Sequence, residues 1–175
     1  LALQEASRYA GERHQFGRAI GEFGLIQRVL SDMAARAYAS EAMAYRTAGL
    51  VYQALEALEA SGEATAEGKL AALAEFAVEC AMAKVYTSEA FNFGADDAIQ
   101  VFGGYGFSEE YLPARLYRDS RITRIYEGTN EICRLYSQRA ILKKWAAGTL
   151  DLTAGEAAPA PGGGTFEDVP RTLEA

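Results

Sequence analysis

The stretch LIQRVLSDMAARAYASEAMAYRTAGLVYQALEAL, residues 25–58, repeats apolar side chains at the spacing of an α-helix. Its apolar positions recur at steps of three, four or seven residues, which is the period of one face of a helix and not that of a strand. We expect one long amphipathic helix that begins at Leu25 and ends near Gly62, where glycine suits a C-terminal cap. A helix longer than the usual globular length favours an all-α fold.

The helical period continues on both sides of this stretch. Thr65 is a suitable N-cap for a second long helix, in which Gly94 is a candidate for a kink. No stretch of the sequence has a convincing strand pattern. The remaining predicted elements are helices at 1 to about 13, 65–102, about 112–119 and 129–148, and a loop with three glycines at 14–24.

The short connections between these helices favour an antiparallel up-down four-helix bundle. Alanine supplies much of the hydrophobic half of the composition, and small side chains let helices pack closely. We expect residues 1–147 to form this domain. Residues 148–175 include GEAAPAPGGG and are expected to be a flexible, disordered tail or a linker.

The chain is acidic, with 17 Lys and Arg against 24 Asp and Glu, and has no basic block. Nucleic acid and anionic membrane surfaces are therefore poor partners, and no apolar run approaches membrane-spanning length. Cys80 and Cys133 lie outside any CxxC or His/Cys cluster, so we expect neither a metal site nor a disulfide. The sequence begins LALQEASRYA without methionine, and we expect a fragment in which targeting cannot be judged.

The glycine-rich stretch QVFGGYGF, residues 100–107, invites comparison with a phosphate-binding loop. The spacing of a dinucleotide-binding motif fails because position 109 is glutamate, and the stretch follows a predicted helix instead of a strand. Two interpretations stay open. The stretch is either a helix end with a turn, or bare backbone that meets a ligand from outside the domain.

Three polar residues are candidates for chemistry or binding. Arg13 ends the first predicted helix, and its planar guanidinium suits a pyrophosphate, although most arginines are simply solvated. His14 has no Ser, Cys or carboxylate beside it in a motif, so we expect it on the surface. Glu127 follows the bulky pair Ile125–Tyr126 just before the last helix. It is either a positioned base or an acid that complements the helix dipole.

Three blocks together resemble the acyl-CoA dehydrogenase family. They are YAGERHQFGRAI at 9–20, IQVFGGYGF at 99–107 and YRDSRITRIYEGTNEICR at 117–134, and they occur in the family's order and spacing. The resemblance covers about residues 1–147, the family's C-terminal helical domain. The family's N-terminal helical domain and middle β domain have no counterpart in this sequence.

The resemblance implies a catalytic role for Glu127 as the base that removes the α-proton of an acyl-CoA thioester. In the family the β-hydrogen leaves as hydride to FAD, and a trans-2-enoyl-CoA results. The chemistry requires a base, a donor to the thioester oxygen and a hydride acceptor, which no side chain can supply. The backbone N–H of Glu127 resembles the family's donor to that oxygen.

The resemblance also implies contacts with cofactor and substrate. Two groups resemble segments that reach the FAD of a neighbouring subunit: one holds its pyrophosphate, and the other lies along its adenosine half. A third group resembles residues that contact FAD within the same subunit. The group at the pyrophosphate is Arg13 and Phe16, and the group along the adenosine half is Gln100, Val101, Phe102, Gly103 and Gly104. The group that contacts FAD within the same subunit is Thr129, Asn130 and Glu131. The substrate contacts are Tyr126 and Gly128.

Further expectations follow from the same resemblance. The parent polypeptide would act in fatty acid β-oxidation as a homodimer or homotetramer and pass electrons to electron-transferring flavoprotein. It would be found in the bacterial cytoplasm or the mitochondrial matrix, and it would not be secreted. The isolated fragment is expected to be inactive, because absent domains hold part of the acyl pocket and the flavin.

One position departs from the common family pattern. Gly24 stands where many members have a glutamine that helps to hold the adenine, which puts one FAD contact in doubt. The variant FGLIQ at 23–27, with EAMAYR at 41–46, resembles the very-long-chain branch. The alternative from another class is a non-catalytic helical module that dimerises or assembles with a partner.

Overall fold

The computed structural model describes residues 1–62 and 64–151. The described part is all-α apart from one very small hairpin. Its elements are α1 (Ala2–Glu12), β1 (His14–Gln15), β2 (Arg18–Ala19), a 3₁₀ turn (Ile20–Glu22), α2 (Gly24–Ala60), α3 (Ala66–Glu75), α4 (Ala77–Phe102), α5 (Gly104–Phe107), α6 (Leu112–Thr123) and α7 (Asn130–Ala146).

The first helix, the long helix α2 and the last helix lie where the sequence predicts them. The short helix predicted at about 112–119 is also present and runs on to Thr123. Gly62 has a φ of +74°, in agreement with its predicted place after the long helix. Thr65 caps α3, because its side chain accepts the N–H of Gly68 at 3.0 Å.

The expectation that residues 14–24 lack strands is wrong. His14 pairs with Ala19, and Gln15 pairs with Arg18, in an antiparallel hairpin. The two loop residues, Phe16 and Gly17, have φ values of +52° and +84°. Positive φ at both central positions is typical of the tightest hairpin turns, which normally carry Asn-Gly or Asp-Gly. Phe-Gly lacks that signature, so the sequence pattern does not indicate the turn.

The prediction of a single helix over residues 65–102 is also wrong, because the helix is divided at Phe76. There the backbone N–H bonds to the carbonyl of Leu73, three residues back, and α4 starts at the next residue. Lys69 of α3 forms an ion pair with Glu59 near the end of α2 at 2.8 Å, which ties α3 to α2. Gly94 does not interrupt α4, since one glycine costs a helix only about 1 kcal/mol.

Helix α4 is the central element of the unit Leu1–Ile141, and α1, α2 and α6 pack against it. Small side chains let α1 and α4 approach closely, and Met33 of α2 joins the same core. The buried residues of this cluster are Ala6, Ala10, Met33, Ala98 and Val101. Ala98 and Val101 thus place the C-terminal part of α4 in this core.

The unit Leu142–Ala175 is described only as far as residue 151. It contains the last turn of α7, after which Gly148 has a φ of +69°. The predicted tail lies outside the described residues from position 152 onwards. In the described part of the chain, no helix has both the length and the apolar character that crossing a membrane requires.

Candidate functional site

A sharp turn between α6 and α7 carries the candidate base. Glu127 has a φ of +56° and Gly128 a φ of +86°, so two successive residues adopt the left-handed conformation. The N–H of Asn130 bonds to the carbonyl of Arg124 at 3.1 Å and closes the turn. A left-handed conformation costs a residue with a side chain about 1–2 kcal/mol. The surrounding structure must therefore hold Glu127 in place.

Helix α4 supplies that hold through Lys84. Its ammonium donates to the carbonyl oxygen of Gly128 at 2.8 Å and to Oδ1 of Asn130 at 2.7 Å. The side chain of Asn130 is only 1 % exposed. Its amide also donates to Oγ of Ser88 at 3.0 Å and to Oε1 of Glu89 at 3.3 Å. A buried amide with partners for both of its ends stabilises one conformation of the turn.

The Glu127 pocket is an open cavity of about 310 Å³ between α4 and the turn. Glu127 and Tyr126 both line it, and Phe91 adds an apolar wall. The remaining lining residues are Lys84, Thr87, Ser88 and Thr123. A carboxylate beside an apolar wall can remove a proton from a substrate that fills the cavity and excludes water.

The start of α7 is organised by Thr129. Its hydroxyl oxygen accepts the N–H of Ile132 at 3.3 Å, as an N-cap does. Hydrogen bonds from its own backbone N–H and from the Thr129 hydroxyl hold the pKa of Glu131 below its ordinary value, and Arg124 and Arg134 add to the effect. Glu131 is thus an ionised, exposed acceptor beside the Glu127 turn.

The Arg13 pocket is a second open cavity, of about 480 Å³. It brings together Arg13 from the end of α1 and residues 101–104 from the end of α4. The Arg13 guanidinium lies 5.7 Å from the centroid of the Tyr105 ring. A Cβ added to Gly103 or Gly104 would meet no atom within 4 Å, so the backbone there is open to a ligand. A cation beside bare backbone fits a phosphate-containing cofactor.

Two of the seven residues predicted to reach the FAD of a neighbouring subunit lie outside the lining of the Arg13 pocket. Phe16 is at the hairpin tip with its side chain 92 % exposed, and its nearest described ring is Phe23, at 6.2 Å between centroids. Gln100 is exposed one residue before the pocket begins. Phe16 therefore combines a strained backbone with an exposed aromatic ring, a pairing that costs stability and is typical of functional positions.

Lys84 and Ser88 are not recognised by the sequence analysis. A signal was present: Lys84, Ser88 and Asn92 recur every four residues and mark a polar stripe on an alanine-rich helix. Asn92 continues the stripe, since its amide donates to Oγ of Ser120 at 2.9 Å and its oxygen accepts from Arg124 at 3.3 Å. What the sequence alone does not reveal is that the stripe faces the turn.

Known proteins resemble this chain along most of its described length. The family described as acyl-CoA dehydrogenase, C-terminal domain, matches residues 1–142. A probable acyl-CoA dehydrogenase of Bacillus subtilis is 41% identical over 150 residues, which make up 86% of this chain and 25% of that protein.

Two solved structures have a similar fold. An acyl-CoA dehydrogenase complexed with FAD from Bacillus anthracis is 43% identical, with a TM-score of 0.80, and the match covers 85% of this chain and 25% of that one. Butyryl-CoA dehydrogenase from Megasphaera elsdenii is 35% identical, with a TM-score of 0.64 and coverage of 81% and 32%. This chain thus spans only a quarter to a third of the length of these relatives. Because the family match extends over most of its residues, the chain belongs to the acyl-CoA dehydrogenase family, in the part that forms the C-terminal domain.

Proposed function

We propose that this chain supplies the C-terminal domain of an FAD-dependent acyl-CoA dehydrogenase that oxidises a saturated acyl-CoA to a trans-2-enoyl-CoA. The observation that carries the proposal is the strained placement of Glu127 at a pocket with an apolar wall, directly before a glycine. A strained residue kept beside a cavity points to a function for its side chain.

In this mechanism Glu127 removes the α-proton of the thioester. Gly128 adds no side chain to the turn, and Tyr126 with Phe91 provides apolar surface against which substrate excludes water. The backbone N–H of Glu127 donates to the thioester oxygen, where negative charge develops as the proton leaves. FAD, when bound, supplies the acceptor for the β-hydride.

Three groups of residues would hold FAD. Arg13 would neutralise the pyrophosphate, and the open backbone of Gly103 and Gly104 would admit the adenosine half, in a pocket that Val101 and Phe102 also line. Phe16 and Gln100 extend this surface, which serves the FAD of a neighbouring subunit. Residues 129–131 contact FAD in the same subunit. Asn130 is buried and bonded within the chain, so we assign its side chain to shaping the turn.

We further propose that the parent protein has additional domains and is an oligomer, a homodimer or homotetramer. Support comes from the large apolar side chains exposed on this chain, because contiguous apolar surface usually meets another protein surface. Tyr38, Tyr45 and Tyr52 of α2, for example, are spaced seven residues apart on one helix face and are all exposed. The proposal includes three further points. The domain is an antiparallel four-helix bundle, the parent protein passes its electrons to an electron-transferring flavoprotein, and it belongs to the very-long-chain branch.

The test replaces Glu127 by Gln in the full-length enzyme. This change keeps the size of the side chain and removes its basicity, so bound flavin should be retained while reduction of the flavin by acyl-CoA is lost. The flavin absorbance of the purified variant measures the bound flavin. The loss of that absorbance after anaerobic mixing with acyl-CoAs of several chain lengths measures flavin reduction. Near-normal reduction in Glu127→Gln would refute the role of this carboxylate.

A non-catalytic assembly module is the competing function, and the exposed tyrosine face of α2 is equally compatible with it. Flavin distinguishes the two classes. A full-length protein that purifies without flavin and cannot be reconstituted with FAD supports the assembly module. We expect the 175-residue chain alone to be inactive, and calorimetric titration with FAD checks this expectation, since tight binding with turnover would contradict it.

A further inference from the structure

We infer that Lys84 is a positioning residue that fixes the direction of the Glu127 carboxylate, an inference that rests on the proposed function. The two acceptors of its ammonium, the Gly128 carbonyl and Oδ1 of Asn130, lie on either side of Thr129. One side chain therefore ties the residue after the base and the first residue of α7 to a single point on α4.

The charge of Lys84 makes this tie strong. Both acceptors are neutral, and within residues 1–62 and 64–151 no carboxylate oxygen lies within 4 Å of its nitrogen. Hydrogen bonds from a charged donor are roughly twice as strong as neutral ones. The ammonium can thus offset part of the strain of the left-handed turn, which a neutral side chain of the same length would leave unopposed.

Helix α4 is a suitable anchor for the turn. Lys84 and Ser88 lie one helical turn apart, and both contact Asn130, so the turn is attached at two neighbouring points. The same helix is packed against α1, α2 and α6, which limits its motion. Lys84 acts on the reaction through this geometry, because its hydrogen bonds go to the backbone and to Asn130 and not to Glu127.

The first test uses the full-length enzyme loaded with FAD. Lys84→Met removes the donors at similar length, and Lys84→Arg retains them. We expect Lys84→Met to slow flavin reduction at saturating acyl-CoA roughly 10- to 100-fold, since a misplacement near 1 Å has effects of that size. The acyl-CoA concentration at half-saturation and the flavin content should stay unchanged, and the isotope effect of an α-deuterated substrate should increase. Lys84→Arg should restore most of the rate.

Two controls separate positioning from general stability. Lys69→Met removes an ion-paired lysine on α3 and should leave the reduction rate unchanged. In a Glu127→Gln background, Lys84→Met should cause no further loss, because residues that act as one unit are not additive. A purely structural role of Lys84 would lower flavin content and stability without changing the isotope effect, and this result would overturn the inference.

The second test needs no enzymatic activity. Hydrogen exchange of the 175-residue chain should show faster exchange of the amides at 127–130 in Lys84→Met than in Lys69→Met or Lys84→Arg, with unchanged exchange in the middle of α4. Equal exchange at 127–130 would overturn the inference. If the unaltered enzyme fails to reduce its flavin with acyl-CoA, the proposed function fails, while the exchange measurement still decides whether Lys84 holds the turn. If Lys84→Met does not fold, Lys84→Gln, whose amide is too short to reach both acceptors, takes its place.

Discussion

Tyr9 stacks on Phe102 with the two ring centroids 4.0 Å apart and the ring planes 14° from parallel. This contact joins α1 to the last residue of α4, immediately before Gly103. Both rings also line the Arg13 pocket. The floor of the proposed adenosine site is therefore part of the hydrophobic core, and its shape depends on the packing of two helices.

We expect this stacked pair to be energetically coupled. Aromatic pairs of good geometry contribute about 0.5–1.5 kcal/mol beyond the area they bury. A double-mutant cycle with Tyr9→Leu and Phe102→Leu, measured by urea unfolding of the chain, should give a coupling in that range. The same cycle at Phe16 and Phe23, whose rings are 6.2 Å apart with Phe16 exposed, should give less. Equal coupling in both cycles would contradict the stacked geometry.

Two glycines two residues apart should respond differently to alanine. A Cβ at Gly106 would lie 2.6 Å from the carbonyl oxygen of Ile99, which is a backbone atom and cannot move aside easily. Overpacking of this kind destabilises by about 1–3 kcal/mol. A Cβ at Gly104 would meet nothing within 4 Å, so Gly104→Ala should change the free energy of unfolding by less than about 0.5 kcal/mol.

Gly104→Ala also tests the proposed cofactor site. In the full-length enzyme Gly104→Ala should weaken FAD binding, because the new methyl group occupies space open to the ligand. Flavin content after dialysis and urea unfolding of the chain are the two measurements. Unchanged flavin retention in Gly104→Ala would show that the adenosine half of FAD does not bind at this backbone.

Helix boundaries could be predicted well where the apolar period is long and a cap is present. The end of α2 before Gly62 and the Thr65 cap of α3 are examples, since both signals depend on local chemistry. The break at Phe76 has no such signal, because neither glycine nor proline is near it. An ion pair between Lys69 and Glu59 is a tertiary contact, and periodicity along one helix carries no information about it.

The candidate site shows the same division between local and long-range information. The place of Glu127 before the last helix can be predicted from its neighbours in sequence. The attachment of the next residue, Gly128, to Lys84 could not, because this contact joins residues 44 positions apart. Asn130 illustrates the point further: its contact with FAD stays a prediction, whereas the partners of its side chain on α4, which leave it only 1 % exposed, are 41 to 46 positions away in sequence.

The left-handed turn makes Gly128 sensitive to substitution. A Cβ there would lie 3.7 Å from Sγ of Cys133, an ordinary contact, so the strain comes from the backbone at a φ of +86°. Gly128→Ala should lower the free energy of unfolding by about 1–2 kcal/mol. Gly49→Ala is the matched control, since Gly49 lies inside α2 with nothing within 4 Å of an added Cβ. This change should raise the free energy of unfolding by about 0.4–1 kcal/mol. Denaturant unfolding measures both, and effects of the same sign would contradict the assignment of the turn.

Glu131 should contribute to the loss of stability in acid. Hydrogen bonds from its own N–H and from the Thr129 hydroxyl lower its pKa in the folded chain. The folded state therefore binds the proton less readily than the unfolded state does. The stabilising contribution is fully present above the ordinary pKa of 4.5 and is lost as the pH falls through the lower value of the folded chain.

Glu131→Gln should accordingly flatten the decline of the unfolding free energy below pH 4.5, as measured by urea unfolding at a series of pH values. Thr129→Val removes the hydroxyl donor and should flatten the same decline in part, whereas Thr129→Ser keeps the donor and should match the unaltered chain. The slope with pH is the relevant quantity, because loss of the N-cap lowers stability at every pH. An acid decline that is as steep in Glu131→Gln as in the unaltered chain would show that this carboxylate is not held by the start of α7.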